Sequence, residues 1–159
     1  MPTVRLSFSP AAAHVRTARL VGVAVARRAG VAEELLEEVR LAIGEACSRA
    51  VALHRSHGLD DLVDVAMADG DRFTVRVVDR AANGAMTSRS SDDEDAVVLL
   101  TDPALPLTTP PDLLAEEAVA ARMGLALLAG LVDDLNVSEI SDGVGTEVRM
   151  SWPLERQAD

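Results

Sequence analysis

The chain has 159 residues, a formal net charge of −11 and one cysteine, Cys47. A chain of this length is expected to form one domain with a substantial core. The lone cysteine excludes an intrachain disulfide and fits a reducing cytoplasm. The acidic charge and the low aromatic content, 2%, argue against nucleic acid binding. The longest apolar run, Met123 to Val132, is well short of the roughly 20 residues that span a bilayer. We therefore expect a cytoplasmic protein with no nucleic acid or membrane partner.

The first two elements are predicted to be a strand and a helix. Apolar and polar residues alternate from Thr3 to Phe8, which is typical of a half-buried strand. Ser9 and Pro10 follow, and this pair is typical of a helix start because the hydroxyl can cap free amides. Gly30 is predicted to end that helix.

The second helix is the one around which the prediction is organised. It is expected to begin at Glu33 and to end near His57. Its apolar residues recur at helical spacing, so it should pack into the core. Glu45 and Arg49 are four residues apart and therefore lie on one face of this helix, where they can pair or share a ligand.

A β-hairpin is predicted next. Its strands, Leu62 to Ala68 and Arg72 to Asp79, flank the tight-turn sequence Asp-Gly-Asp. Asp79 is expected at the tip of the second strand. The segment from about 80 to 112 has no periodicity and is rich in proline and acidic residues, so we expect either a lid-like loop or disorder.

A last helix and a second hairpin complete the predicted order. The helix is expected from Leu113 to Leu135, and the strands from Val137 to Ser141 and from Thr146 to Trp152. This order predicts an α+β two-layer sandwich, a mixed β-sheet with helices on one face. No linker divides the chain, so residues 1–159 are expected to form a single domain.

Four segments carry a resemblance to a known family: GEACSRAV, VVDRAANG, ARMGLALLAGLVDD and GTEVRMSWPL. Together they resemble the anti-sigma-factor serine-kinase family, which has the Bergerat ATPase fold of histidine kinases and type II topoisomerases. The resemblance implies that fold and a site for ATP or ADP with Mg²⁺. It also implies a homodimer whose partners are a sigma factor and an anti-anti-sigma protein of the STAS type.

The first implied motif lies on the second helix. In the family, a glutamate acts as general base toward the hydroxyl that accepts the phosphoryl group, and Glu45 matches it. An asparagine four residues later ligates Mg²⁺, but Arg49 stands there. A guanidinium has no acceptor and cannot ligate a cation. Arg49 can instead neutralise phosphate directly, pair with Glu45, or fill the space that the nucleotide needs.

The other implied motifs also keep one residue and lose another. An aspartate that binds adenine matches Asp79. The glycines that follow it at alternate positions in the family are replaced by Ala81 and Asn83, and Gly84 comes one position late. At the last helix Gly124 is kept, but Arg122 replaces an earlier glycine whose backbone would approach phosphate. The full set of candidate nucleotide contacts is Glu45, Arg49, Asp79, Asn83, Gly84, Arg122, Gly124 and Thr146.

Two functions follow from this pattern. The chain is interpreted as a regulator that binds a sigma factor or an anti-anti-sigma partner through a nucleotide site that is altered. The alternative is an active ATP-dependent serine kinase that phosphorylates the anti-anti-sigma partner, with Glu45 as catalytic residue. No metal site is expected at His54 and His57, because no cysteine or carboxylate beside them completes a ligand set.

Overall fold

The computed structural model describes residues 3–81, 124–141 and 143–155. Two long helices and then a hairpin follow the first strand, and a helical segment and a second hairpin come later. The elements are β1 (Thr3–Phe8), α1 (Ala12–Ala29), α2 (Leu36–Ser56), β2 (Val63–Asp69), β3 (Arg72–Asp79), α3 (described over residues 124–131), β4 (Asp134–Glu139) and β5 (Thr146–Pro153). No helix in these ranges is long and apolar enough to cross a membrane.

The five strands form one sheet in the order β1-β2-β3-β5-β4, and every pair of neighbours is antiparallel. The predicted α+β architecture is confirmed, but the sheet is antiparallel where a mixed sheet was expected. The reason is the path between β1 and β2. Because α1 and α2 form an antiparallel helix pair, the chain returns to the end of the sheet that it left, and Phe8 pairs with Val63.

The core lies between the helices and one face of the sheet. Alternate residues of β2, β3 and β5 point to this face, as the two-residue period of a strand requires. These strand residues form one buried cluster with the inner faces of α1 and α2 and with Leu128 of α3. They are Val63, Val65, Met67, Phe73, Val75, Val77, Val148, Met150 and Trp152. Burying such a side chain is worth about 1.5–3 kcal/mol, so this layer is the main source of stability.

Close approach of α1 and α2 depends on a glycine. A Cβ atom at Gly22 would collide with Cδ1 of Ile43. A larger residue at this position would therefore force the Ile43 side chain to move or the helices to shift. Gly30 has a second role, since it ends α1 in the left-handed conformation with φ +102°, as predicted for this position.

Several predicted boundaries are wrong, and β4 spans Asp134–Glu139 where a strand from Val137 to Ser141 was predicted. Helix α1 begins two residues after Pro10, and its N-cap is Ala11, which makes no side-chain capping bond. The predicted Ser9 cap is therefore absent. A 3₁₀ turn over Glu33–Leu35 precedes α2. The predicted helix to Leu135 already ends at residue 131, and Leu135 instead pairs with Met150 in the sheet. Most of the predicted loop at 80–112 and the beginning of the predicted helix at 113 lie outside the described residues.

Candidate functional site

The candidate site lies where α2 meets the ends of β3 and β5. Asp79, the last residue of β3, is the cross-strand partner of Thr146, the first residue of β5. Both residues are on the face of the sheet that the helices cover, and both are buried. Asp79 therefore lies at the strand tip, as the sequence predicts, with its carboxyl group turned into the protein.

Arg49 of α2 forms a buried ion pair with Asp79. Its Nη1 donates to Asp79 Oδ2 at 3.1 Å, and each side chain is 1% exposed. Arg49 does not pair with Glu45, which was one of the alternatives left open by their spacing. The guanidinium thus crosses from the helix to the strand end, and the charge of each residue neutralises that of the other away from water.

The ion pair is incomplete as a hydrogen-bonding arrangement. Within the part of the chain that the structure describes, Arg49 Nε and Nη2 have no hydrogen-bond partner, and neither has Thr146 Oγ1, although all three atoms are buried. Buried polar groups without partners are rare in folded proteins and each requires an explanation. These three are on two residues that both adjoin Asp79.

The second oxygen of Asp79 and its own backbone are also engaged. Oδ1 accepts a hydrogen bond from the backbone N–H of Ala81 at 3.0 Å. Gly145 lies so close to the Asp79 carbonyl oxygen that a Cβ atom would collide with it, and its φ is +140°. A glycine is therefore required immediately before Thr146, where the last matching segment of the sequence begins.

His54, near the end of α2, is hydrogen-bonded to Arg80, the residue that follows β3. Its Nε2 accepts a hydrogen bond from the backbone N–H of Arg80 at 2.8 Å. The proton must therefore be on Nδ1, which lies 2.9 Å from the carbonyl oxygen of Asp61 and donates to it. His54 is buried in a neutral, structural role that sequence reasoning missed, since nothing local signals a partner 26 residues away.

Glu45 and Gly124 meet at one side of the site. A Cβ atom placed on Gly124 would lie 3.4 Å from Glu45 Oε2. Glu45 is half-buried, while Gly124 is buried and is the first described residue of α3. The structure therefore brings together Glu45 with Gly124, and Arg49 with Asp79 and Thr146. The other candidates, Asn83, Gly84 and Arg122, lie outside the described residues.

The donor set does not fit Mg²⁺ at the position where the resemblance expects it. Arg49 offers only N–H donors there, and Mg²⁺ requires oxygen ligands. Within the described ranges, no three His, Cys, Asp or Glu side chains cluster in a way that could hold a metal ion. The free hydroxyl of Thr146, by contrast, fits a polar group of a ligand.

Cys47 is two residues from Arg49 on α2 and therefore lies on nearly the opposite side of the helix, so it takes no part in the site. It belongs to the apolar core, and its burial raises the pKa of the thiol to about 12, while the nearby positive charge of Arg19 acts in the opposite direction. The neutral thiol therefore acts as a small apolar side chain.

An antiparallel sheet covered by helices on one face, with a polar cluster where a helix meets the strand ends, is an α+β architecture consistent with an ATPase domain of the histidine kinase type. A family model for the histidine kinase-like ATPase domain matches residues 8–152. The match covers most of the chain, so the chain belongs to the histidine kinase-like ATPase domain family. No curated protein matches the sequence.

Proposed function

We propose that this protein is a cytoplasmic regulator of the anti-sigma type, which acts by binding partners and not by Mg²⁺-dependent phosphoryl transfer. Its partners would be a sigma factor and an anti-anti-sigma protein of the STAS type, bound by a homodimer. Family membership supports a nucleotide-related site, and the four sequence segments that resemble anti-sigma-factor kinases support the choice of partners.

The observation that carries the loss of metal-dependent transfer is the Arg49–Asp79 ion pair. In a kinase of this type an amide at position 49 would ligate Mg²⁺ and the carboxylate of Asp79 would be free for adenine. Here the guanidinium of Arg49 stands in place of that amide, and it donates to Oδ2 of Asp79 at 3.1 Å. Separating two buried charges is costly because each would be left unpaired in a low-dielectric interior.

An active serine kinase is the second candidate, and one observation favours it. Glu45 is half-buried and adjoins Gly124 in the helical segment of α3. A carboxylate beside a glycine on a neighbouring helix is a reasonable position for a general base facing a transferred phosphoryl group. An active kinase would then need a positive charge other than Mg²⁺ to stabilise the transferred phosphoryl group.

A phosphate-transfer assay separates these candidates. The purified protein is incubated with labelled ATP, Mg²⁺ and purified STAS-type proteins from the same source organism, and binding to these proteins and to sigma factors is measured in parallel. We expect binding without transfer of label. Label on a partner serine that disappears in Glu45→Gln would contradict the proposal and establish the kinase.

The replacement Arg49→Asn tests the role of the ion pair directly. We expect it to create or strengthen Mg²⁺-dependent ATP binding, because an amide oxygen can ligate the ion. Arg40→Asn is the matched control, since Arg40 is on the same helix but is 54% exposed and makes only a 3.9 Å pair with Glu37. Equal nucleotide affinity in all three proteins would contradict the account of Arg49.

A further inference from the structure

We propose that Arg49 forms a metal-independent phosphate site, which binds a nucleoside diphosphate or free pyrophosphate through its unpartnered edge. This inference rests on the proposed function in one respect: it takes the nucleotide site as altered by Arg49. It adds a ligand and a mode of binding that need no Mg²⁺.

The geometry of the guanidinium decides which donors are free. The group is planar, and Nε and Nη2 lie along one edge with nearly parallel N–H bonds, while Nη1 points elsewhere. Nη1 is the atom bonded to Asp79, and Nε and Nη2 are the two atoms that no described residue contacts by a hydrogen bond. The free pair is therefore the edge with which arginine binds two oxygens of one phosphate or carboxylate at once.

The burial of this edge makes a partner necessary. The Arg49 side chain is 1% exposed, and a charged group whose donors remain unsatisfied in the interior is destabilising. Asp79 neutralises the charge of Arg49 but satisfies only one of its nitrogens. A phosphate group would satisfy the other two with charge-assisted hydrogen bonds, which are the stronger kind.

Thr146 indicates that the ligand extends beyond the phosphate. Its hydroxyl is buried and has no partner among residues 3–81, 124–141 and 143–155, and Thr146 is the cross-strand partner of Asp79, the residue that Arg49 contacts. Both sets of unsatisfied atoms thus flank the same aspartate. A molecule with phosphate at one end and a polar ring or sugar at the other can satisfy both, as a nucleoside diphosphate does.

The test is calorimetric titration of the full chain in a buffer with chelator. The probes are ADP, pyrophosphate and adenosine. We expect ADP and pyrophosphate to bind without metal, with no gain in affinity when Mg²⁺ replaces the chelator, and adenosine to bind at least about tenfold more weakly than ADP. ADP without pyrophosphate binding would overturn the phosphate assignment, and so would adenosine binding as well as ADP.

Two substitutions assign the binding to the two residues. Arg49→Lys keeps the positive charge beside Asp79 but removes the two-nitrogen edge, so ADP and pyrophosphate should each bind about tenfold more weakly. Thr146→Val should weaken ADP and leave pyrophosphate unchanged. Circular dichroism confirms that each variant is folded, and the wild-type comparison of pyrophosphate with adenosine decides the matter if Arg49→Lys does not fold.

The matched control is Arg16→Lys. Arg16 is an exposed arginine on α1 that lines a different, surface cavity of about 430 Å³ together with Arg19 and Arg55. Its replacement should leave pyrophosphate binding unchanged. Loss of binding in Arg16→Lys, with retention in Arg49→Lys, would place the phosphate in the surface cavity and overturn the proposal.

The failure of the phosphate site can be distinguished from the failure of the regulator proposal. If pyrophosphate does not bind but partners bind without phosphate transfer, the phosphate site fails and the regulator stands. If label is transferred to a partner serine, the regulator fails whatever the titrations give.

Discussion

Strands β3 and β5 pair along their whole length, yet their two ends differ in how completely they are packed. At one end Phe73 is opposite Trp152, with ring centroids 6.0 Å apart, and the indole Nε1 donates to Glu38 at 3.0 Å. At the other end Asp79 is opposite Thr146, and three buried polar atoms of Arg49 and Thr146 lack partners among the described residues. The aromatic end satisfies its one polar group, and the polar end does not.

This difference indicates a division of roles. At the aromatic end the indole N–H has its acceptor, so this end contributes to the stability of the fold. At the polar end the unsatisfied donors of Arg49 are held in fixed positions and are available to bind a ligand. Backbone contacts constrain the polar end as well, because Gly145 lies against the Asp79 carbonyl. The substitutions below test whether stability and ligand binding are separated between the two ends, from the largest expected effect to the smallest.

Asp79→Ala should have the largest effect on stability, about 3–5 kcal/mol, because it leaves Arg49 buried without a countercharge. Urea unfolding at neutral pH measures the free energy of unfolding. The double variant Asp79→Ala with Arg49→Met should recover most of the loss, since the unpaired charge is gone. A cost below about 1 kcal/mol for Asp79→Ala would mean that the pair does not behave as a buried one.

Trp152→Phe tests the aromatic end. It removes the indole donor to Glu38 and part of the packed volume, so we expect a loss of about 1–3 kcal/mol in the free energy of unfolding. Glu38→Gln, which keeps an acceptor oxygen, serves as the control and should cost less. Pyrophosphate affinity should not change in either variant, and a change of tenfold in Trp152→Phe would show that the two ends are coupled.

Cys47 provides a pH test of the core between the two ends. Because its folded pKa is raised from 9.0 to about 12, its contribution to stability is present below pH 9 and is lost as the pH rises from about 9 toward 12. The slope should approach about 1.4 kcal/mol per pH unit.

The composition of the chain makes this profile easy to read. The sequence contains no lysine and no tyrosine, so few other groups titrate in that range. The alkaline decrease measured by urea unfolding should be absent in Cys47→Ala. An equal decrease in both proteins would contradict the assignment to the thiol.

Thr146→Val should have the smallest effect, and in the opposite direction. Replacing a buried hydroxyl that has no partner should raise the free energy of unfolding by up to about 1 kcal/mol. Thr146→Ser, which keeps the hydroxyl, is the matched control. A loss of stability in Thr146→Val would show that the hydroxyl already has a partner, and it would remove the basis for assigning it to a ligand.

Local patterns predicted much of the fold. The alternation in β1 and β3 gave the observed bounds, Thr3–Phe8 and Arg72–Asp79, because strand period and a tight turn are properties of neighbouring residues. The helix end at Gly30 was predicted for the same reason. The boundary between α3 and β4 was not, since apolar residues near Val132 and Leu135 fit both periods and only pairing with β5 selects the strand.

The candidate site shows the same limit more sharply. The four-residue spacing of Glu45 and Arg49 predicts a shared helix face, but it cannot indicate which distant residue approaches that face. Asp79 is 30 positions from Arg49, and Thr146 is farther still. The sheet register brings Asp79 and Thr146 together, and the packing of α2 on the sheet brings Arg49 to them.

The sequence by itself determined the α+β class and the order of the elements, which follow from periodicity and turn chemistry encoded over a few positions of the chain. The candidate residues of a nucleotide site came from the family resemblance and stay a prediction. The tertiary structure decided that the sheet is antiparallel, that Arg49 pairs with Asp79, and that no described residue accepts from the donors of one edge of Arg49. Those outcomes depend on which surfaces are buried together, and burial is settled only when all the elements pack at once.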